Sequence, residues 1–88
     1  MKTIIYTAAA ARQLDALPPA IRQQIIAALD EYAIHGRGDV KQLAGRQGYR
    51  LRVGRYRVIF EQDTMTILAI YIGKRETTTY RRNRKDRP

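Results

Sequence analysis

The stretch that decides the fold of this chain is GYRLRVGRYRVIFE, residues 48–61. Side chains alternate between the two faces of a β-strand, so an apolar residue at every second position predicts a half-buried strand. That alternation runs through residues 49–53 and 56–60, and Gly54 provides a tight turn between them. The pattern predicts a β-hairpin whose apolar face holds Tyr49, Leu51, Val53, Tyr56, Val58 and Phe60. The opposite face would hold Arg50, Arg52, Arg55, Arg57 and Ile59.

The residues before this hairpin predict one strand and two helices. Residues 2–7 have the apolar content of a strand, and the alanine-rich residues 8–14 favour a helix that Thr7 can cap. A second helix is expected over residues 19–34, because proline is tolerated in a first helical turn and His35 precedes a glycine that can end the helix. Its apolar stripe consists of Ile21, Ile25 and Leu29.

The residues around and after the hairpin complete an α+β fold. Residues 40–47 have no clear periodicity and are expected to form a connector. Residues 65–72 are apolar on both faces, which is typical of a central strand, and straight alternation places Tyr71 in the core with Ile67 and Ala69. We therefore expect residues 1–88 to form a single domain. Its order would be an N-terminal strand, a helical hairpin and a three-stranded antiparallel meander, with the helices packed on one sheet face.

The composition excludes several classes of function. The chain has no cysteine and one histidine, so it offers no thiolate site and no multi-histidine metal site within one chain. Its few carboxylates are scattered, and we expect neither a metal nor a cofactor. The first residues lack the pattern of a signal peptide, and no apolar run is long enough to cross a bilayer. The sequence thus predicts a cytoplasmic protein that does not bind membranes.

The net charge of +9 lies entirely in the second half of the chain. Residues 1–40 contain four basic and four acidic side chains, whereas residues 41–88 contain thirteen basic and four acidic ones. A basic half on a neutral scaffold is typical of a protein that binds polyanions, although it can also be a solvated basic surface. Residues 74–88 would form a basic C-terminal tail that is mobile until a partner orders it.

The density of arginine, together with Tyr80, permits cleavage of RNA without a metal ion. The 2′-hydroxyl of RNA can attack the adjacent phosphate, so the protein has to orient the strand, neutralise developing charge and move protons. Arginine binds phosphate oxygens in a bidentate manner but does not act as a base. Dense positive charge would lower the pKa of a tyrosine, which makes Tyr80 a candidate for proton transfer.

These segments resemble the RelE/ParE superfamily of bacterial toxins. The resemblance rests on residues 48–60, on Ile-Tyr-Ile-Gly-Lys-Arg-Glu at residues 70–76, on Tyr80 and on the helical hairpin before them. It implies a toxin of a type II toxin–antitoxin system that a cognate antitoxin holds inactive, and that meets operator DNA only through the antitoxin complex. The RelE branch cleaves mRNA in the ribosomal A site as an endoribonuclease, or mRNA interferase.

The resemblance also implies a set of catalytic residues, and it leaves the branch of the superfamily open. RelE-like positions fall on Arg50, Arg52, Arg57, Arg75 and Tyr80. Well-studied RelE enzymes have lysines at the first two positions, so arginines there can clamp a phosphate but do not supply a base. The alternatives are a ParE-like toxin that inhibits DNA gyrase without chemistry and a noncatalytic nucleic-acid-binding module.

Overall fold

The computed structural model describes residues 1–45 and 47–74, which form seven elements of secondary structure. These elements are β1 (Thr3–Tyr6), α1 (Ala8–Asp15), α2 (Pro19–His35), β2 (Asp39–Gln42), β3 (Tyr49–Val53), β4 (Tyr56–Gln62) and β5 (Thr66–Lys74). The expected strand, helical hairpin and following strands are all present in that order. The α+β fold class predicted from the sequence is therefore confirmed.

The described strands form one mixed sheet in the order β1-β5-β4-β3-β2. Strands β2 to β5 make an antiparallel meander, and β1 adds to its far side in parallel with β5. The hairpin of β3 and β4 has the register that the alternation predicts, since Leu51 lies opposite Val58 and Arg52 lies opposite Arg57. Strand β4 is thus paired on both sides and lies in the middle of the sheet.

Both helices begin and end where local chemistry favours it. The Thr7 hydroxyl accepts a hydrogen bond from the Ala10 amide at 3.1 Å, which satisfies one of the free amides at the start of α1. Helix α2 starts at Pro19, which has no amide hydrogen to lose. It ends at His35, because Gly36 adopts the left-handed conformation with φ of 70°.

The hydrophobic core lies between the two helices and one face of the sheet. The helices contribute Ala10, Leu14, Ile25, Leu29 and Ala33, and the sheet contributes Leu51, Val58, Phe60, Ile67, Ala69 and Ile72. Tyr49 and Tyr56 are partly buried and pack against this core, as predicted. The opposite sheet face, which we call the outer face, is turned away from both helices and carries the alternate residues of β3 and β4.

Strand β2 is an element that the sequence pattern did not predict. Residues 40–42 belong to the stretch 40–47 that is expected to form a connector, but they pair with β3 through Lys41 opposite Arg50 and Val40 opposite Leu51. Only Val40 of the four residues in β2 packs against the core, so no apolar alternation reveals the strand. Its formation depends on the hydrogen-bonding edge that β3 provides.

The predicted core position of Tyr71 is wrong, because β5 contains a β-bulge. Ile59 pairs with Tyr71 while the next residue, Phe60, pairs with Ala69, so Ile70 is an extra residue in β5. The bulge resets the alternation: Ile67 and Ala69 point into the core, but Ile72 rather than Tyr71 is the next buried side chain. Tyr71 shares the outer face with its cross-strand partner Ile59 and is 39% exposed.

Residues 75–88 lie outside the described part of the chain. The expectations for Arg75, Tyr80 and a mobile tail therefore remain predictions, as does a single domain over residues 1–88. Neither described helix is both long and apolar enough to cross a bilayer.

Phe60 is the most voluminous of the fully buried side chains, and its removal should be costly. Its ring stacks on Tyr49 with centroids 5.5 Å apart and meets Tyr32 edge-on at 5.6 Å. We expect Phe60→Ala to lower the free energy of unfolding by about 3–5 kcal/mol, as measured by urea denaturation. Ile5→Ala is the control, because Ile5 is 48% exposed. A similar loss in both variants would contradict the assigned core.

Asp63 should make stability depend on pH. Its carboxylate accepts hydrogen bonds from the amides of Met65 and Thr66, both at 2.8 Å, in the turn between β4 and β5. These bonds hold the pKa of Asp63 below its ordinary value. A carboxylate with a lowered pKa stabilises the fold above the pKa of the unfolded chain, about 4, and that stabilisation is lost as pH falls through the folded value.

We therefore expect Asp63→Asn to reduce stability at pH 7, and we expect this difference to disappear once the pH falls below the lowered pKa of Asp63. Urea midpoints at a series of pH values measure this difference. Asp15→Asn removes the same charge from the C-terminal end of α1, where a negative charge is unfavourable, and should not reduce stability. If Asp63→Asn is still less stable than the unsubstituted protein at the lowest pH, the role assigned to the ionised carboxylate of Asp63 is contradicted.

Candidate nucleic-acid interface

The outer face of the sheet gathers the basic residues that the sequence placed on the hairpin. Arg52 and Arg57 are direct cross-strand partners. Arg50 lies two residues before Arg52 on β3, opposite Ile59. Lys41 on β2 is in turn the partner of Arg50. Because cross-strand partners share a face, four cations occupy adjacent positions near the Gly54 turn. We call Lys41, Arg50, Arg52 and Arg57 the basic patch.

Little in the described part of the chain neutralises the basic patch. Among residues 1–45 and 47–74 the only ion pair joins Arg37 to Glu31, at 3.2 Å. Asp39 is the cross-strand partner of Arg52, but the two side chains form no ion pair. Glu61 lies on the same face toward the other end of β4. Like charges directly opposite each other destabilise a sheet, so a bound anion would relieve the repulsion.

Arg57 is a partly buried member of the basic patch. Its Nε atom is buried and has no hydrogen-bond partner. Its guanidinium carbon lies 6.0 Å from the centroid of the Tyr71 ring, at the limit of a cation–π contact. Buried donors are normally satisfied, so the Nε of Arg57 is a donor available to an acceptor on a bound molecule.

A recess of about 400 Å³ opens beside Arg57 on the outer face. The described residues that line it are Leu43, Arg57, Ile59, Ile70 and Tyr71. The bulge at Ile70 is what brings Tyr71 to this side. The outer face therefore carries the basic patch and a recess that shares Arg57 with it.

The structure brings together three of the five residues predicted to form the site. Arg50, Arg52 and Arg57 lie side by side, whereas Arg75 and Tyr80 fall outside the described residues. Sequence reasoning missed Lys41, because β2 was not predicted, and Tyr71, because the bulge was not. No cluster of three or more histidine, aspartate or glutamate side chains suited to a metal ion occurs in residues 1–45 and 47–74.

Comparison with known proteins identifies a family for this chain and several solved structures with a similar fold. Residues 4–78 match the family model described as ParE toxin of type II toxin-antitoxin system, parDE. No curated protein matches the sequence.

Several solved structures are similar to this chain and share its fold. The RelE–RelB complex of the archaeon Pyrococcus horikoshii OT3 is 22% identical with a TM-score of 0.74, covering 88% of this chain and 98% of that one. The RelBE2 complex of Mycobacterium tuberculosis is 28% identical with a TM-score of 0.60, covering 84% and 91%. A mutant of the Escherichia coli toxin RelE in the free state is 21% identical with a TM-score of 0.69, covering 88% and 86%.

The family model spans most of the chain, and the fold is similar to that of the solved RelE structures. The chain therefore belongs to the ParE toxin family within the RelE/ParE superfamily, and it is a toxin of a type II toxin–antitoxin system.

Proposed function

We propose that this toxin is a metal-independent endoribonuclease that cleaves mRNA in the ribosomal A site and so inhibits translation. The observation that carries the proposal is the basic patch, in which Arg50, Arg52 and Arg57 share the outer face and form no ion pair with a carboxylate among the described residues. Cations held at fixed positions on a sheet are suited to clamp a phosphodiester.

Apart from this phosphate clamp, the reaction requires few groups from the protein. The 2′-hydroxyl of the RNA loses its proton and attacks the adjacent phosphorus. The bond from phosphorus to the 5′-oxygen of the next nucleotide breaks, that oxygen takes up a proton, and a 2′,3′-cyclic phosphate forms. Arg57 and Arg52 would stabilise the charge on the phosphate oxygens, and Arg50 would hold a neighbouring phosphate. Arg75 and Tyr80 complete the proposed site, with Tyr80 in proton transfer, because arginine does not deprotonate.

A cognate antitoxin is the partner expected of any toxin in this family. Solved relatives include RelE toxins in complex with RelB antitoxins. We propose that the antitoxin of this chain neutralises it by direct binding and carries any contact with operator DNA. Acidic residues of an antitoxin would suit the basic patch, and binding there would also exclude RNA.

Inhibition of DNA gyrase is the second candidate. It is favoured by the matching family model, which describes ParE toxins. A gyrase inhibitor of this kind would use its surface for binding alone and would leave RNA intact. Effects on translation and on DNA supercoiling therefore separate the two candidates directly.

We expect Arg57→Ala to reduce mRNA cleavage by about 10²–10³-fold, because it removes a donor aimed at developing phosphate charge. Tyr80→Phe should reduce cleavage by about 10²–10⁴-fold, because it removes a proton-transfer group. The assay is cleavage of a defined mRNA in a translating extract, mapped by primer extension. Arg12→Ala is the matched control, since it removes an exposed arginine from α1, on the helical side of the molecule.

The outcomes of this assay are distinct. Full activity in both Arg57→Ala and Tyr80→Phe would refute the site. Intact mRNA with the unsubstituted toxin, together with blocked supercoiling by purified gyrase, would refute the nuclease and establish the second candidate. Equal losses in Arg12→Ala and Arg57→Ala would mean that net charge, and not the outer face, determines activity.

A further inference from the structure

Phosphate binding alone does not explain the recess on the outer face. Its described lining combines Arg57 with four apolar or aromatic residues. A surface that bound only the RNA backbone would require cations alone. A recess that joins apolar side chains to a cation is suited to a ligand with a flat hydrophobic part and an anionic part next to it.

Gly73 determines how Tyr71 lies in this recess. A Cβ atom built on Gly73 would collide with the Tyr71 hydroxyl oxygen and would lie 2.7 Å from Cζ and 3.0 Å from Cε2. The ring of Tyr71 therefore lies across the backbone of Gly73, a position that any larger residue would close. Gly73 is also the cross-strand partner of Arg57, so ring and guanidinium share the same small area of sheet.

Tyr71 is exposed although it is packed on its lower side. Gly73 lies under the ring, Arg57 lies near it, and 39% of the residue remains accessible. The part of Tyr71 that remains accessible can receive a second ring by stacking beside the Arg57 guanidinium. Such a platform is how proteins bind the bases of single strands, because every base has a flat face.

We propose that this recess is a subsite for one nucleobase of single-stranded RNA, with Tyr71 as the stacking residue. The inference rests on the proposed RNA-directed function and extends it. The base stacks on Tyr71 against Ile59 and Leu43, and its flanking phosphates lie on Arg57 and the rest of the basic patch. Charge complementarity favours RNA over an apolar protein segment, since the recess opens directly beside the patch.

The test compares two uncleavable probes. One is a 2′-O-methyl hexanucleotide, and the other is the same sugar–phosphate backbone without bases. Binding to purified full-length toxin, freed from its antitoxin, is measured by fluorescence anisotropy. We expect the base-containing probe to bind about 10- to 100-fold more tightly, because each stacked base contributes substantially to affinity.

Substitutions of Tyr71 should change the ratio of the two affinities. They should leave the affinity for the probe without bases unchanged. Tyr71→Leu keeps an apolar side chain and should reduce the ratio by about tenfold, whereas Tyr71→Phe should retain it. Gly73→Ala should also reduce the ratio, because the added methyl displaces the ring. Arg52→Ala is the control and should weaken both probes alike. Circular dichroism confirms that each variant is folded.

A ratio that is unchanged in Tyr71→Leu, or equal affinity of the unsubstituted toxin for both probes, would overturn the inference. Weakened antitoxin binding by Tyr71→Leu without a change in the ratio would also overturn it and would assign the recess to a side chain of the protein partner. The cleavage assay is independent of this one. Loss of stacking with intact cleavage refutes the subsite alone, and absence of cleavage with intact stacking refutes the nuclease alone.

Discussion

The structure depends on the alternation of β4, a central strand that has helices on only one side. Val58 and Phe60 point toward the helices and are fully buried, whereas Arg57 and Ile59 point away. Burial of the first pair supplies a large part of the hydrophobic stabilisation and fixes the register of the neighbouring strands. A shift by one residue would bury Arg57 without a partner, at a prohibitive cost. The core thus determines where the arginines lie.

Prediction from the sequence succeeded where apolar and polar residues alternate strictly. Residues 49–53 and 56–60 alternate regularly, and the observed pairing of Leu51 with Val58 and of Arg52 with Arg57 follows directly. It failed where tertiary context decides. Strand β2 has almost no core-facing side chain, and the bulge at Ile70 involves no glycine and leaves no local mark in an evenly apolar strand. A single extra residue was enough to move Tyr71 from the predicted core to the outer face.

The candidate site, like the fold, was predictable only where it depends on strict alternation. Arg50, Arg52 and Arg57 follow from alternation alone, so periodicity was sufficient to place three of the predicted residues on one face. Lys41 and Tyr71 required knowledge of an edge strand and of a bulge, neither of which periodicity encodes. The basic patch and the recess together show how one sheet face can hold two chemistries, with cations on β2, β3 and β4 and apolar side chains toward β5.

The parallel pairing of β1 with β5 has a consequence for when the molecule can fold. Thr3 pairs with Thr66 and Tyr6 with Ala69, so the first and last described strands are neighbours in the sheet. Strand β5 also lies between β1 and β4, and its buried side chains fill the middle of the core. Contacts between such distant segments form only after a long loop closes. The core therefore cannot close until β5 is available to pair with both β1 and β4, so the basic patch and the recess are assembled only after these distant segments have met.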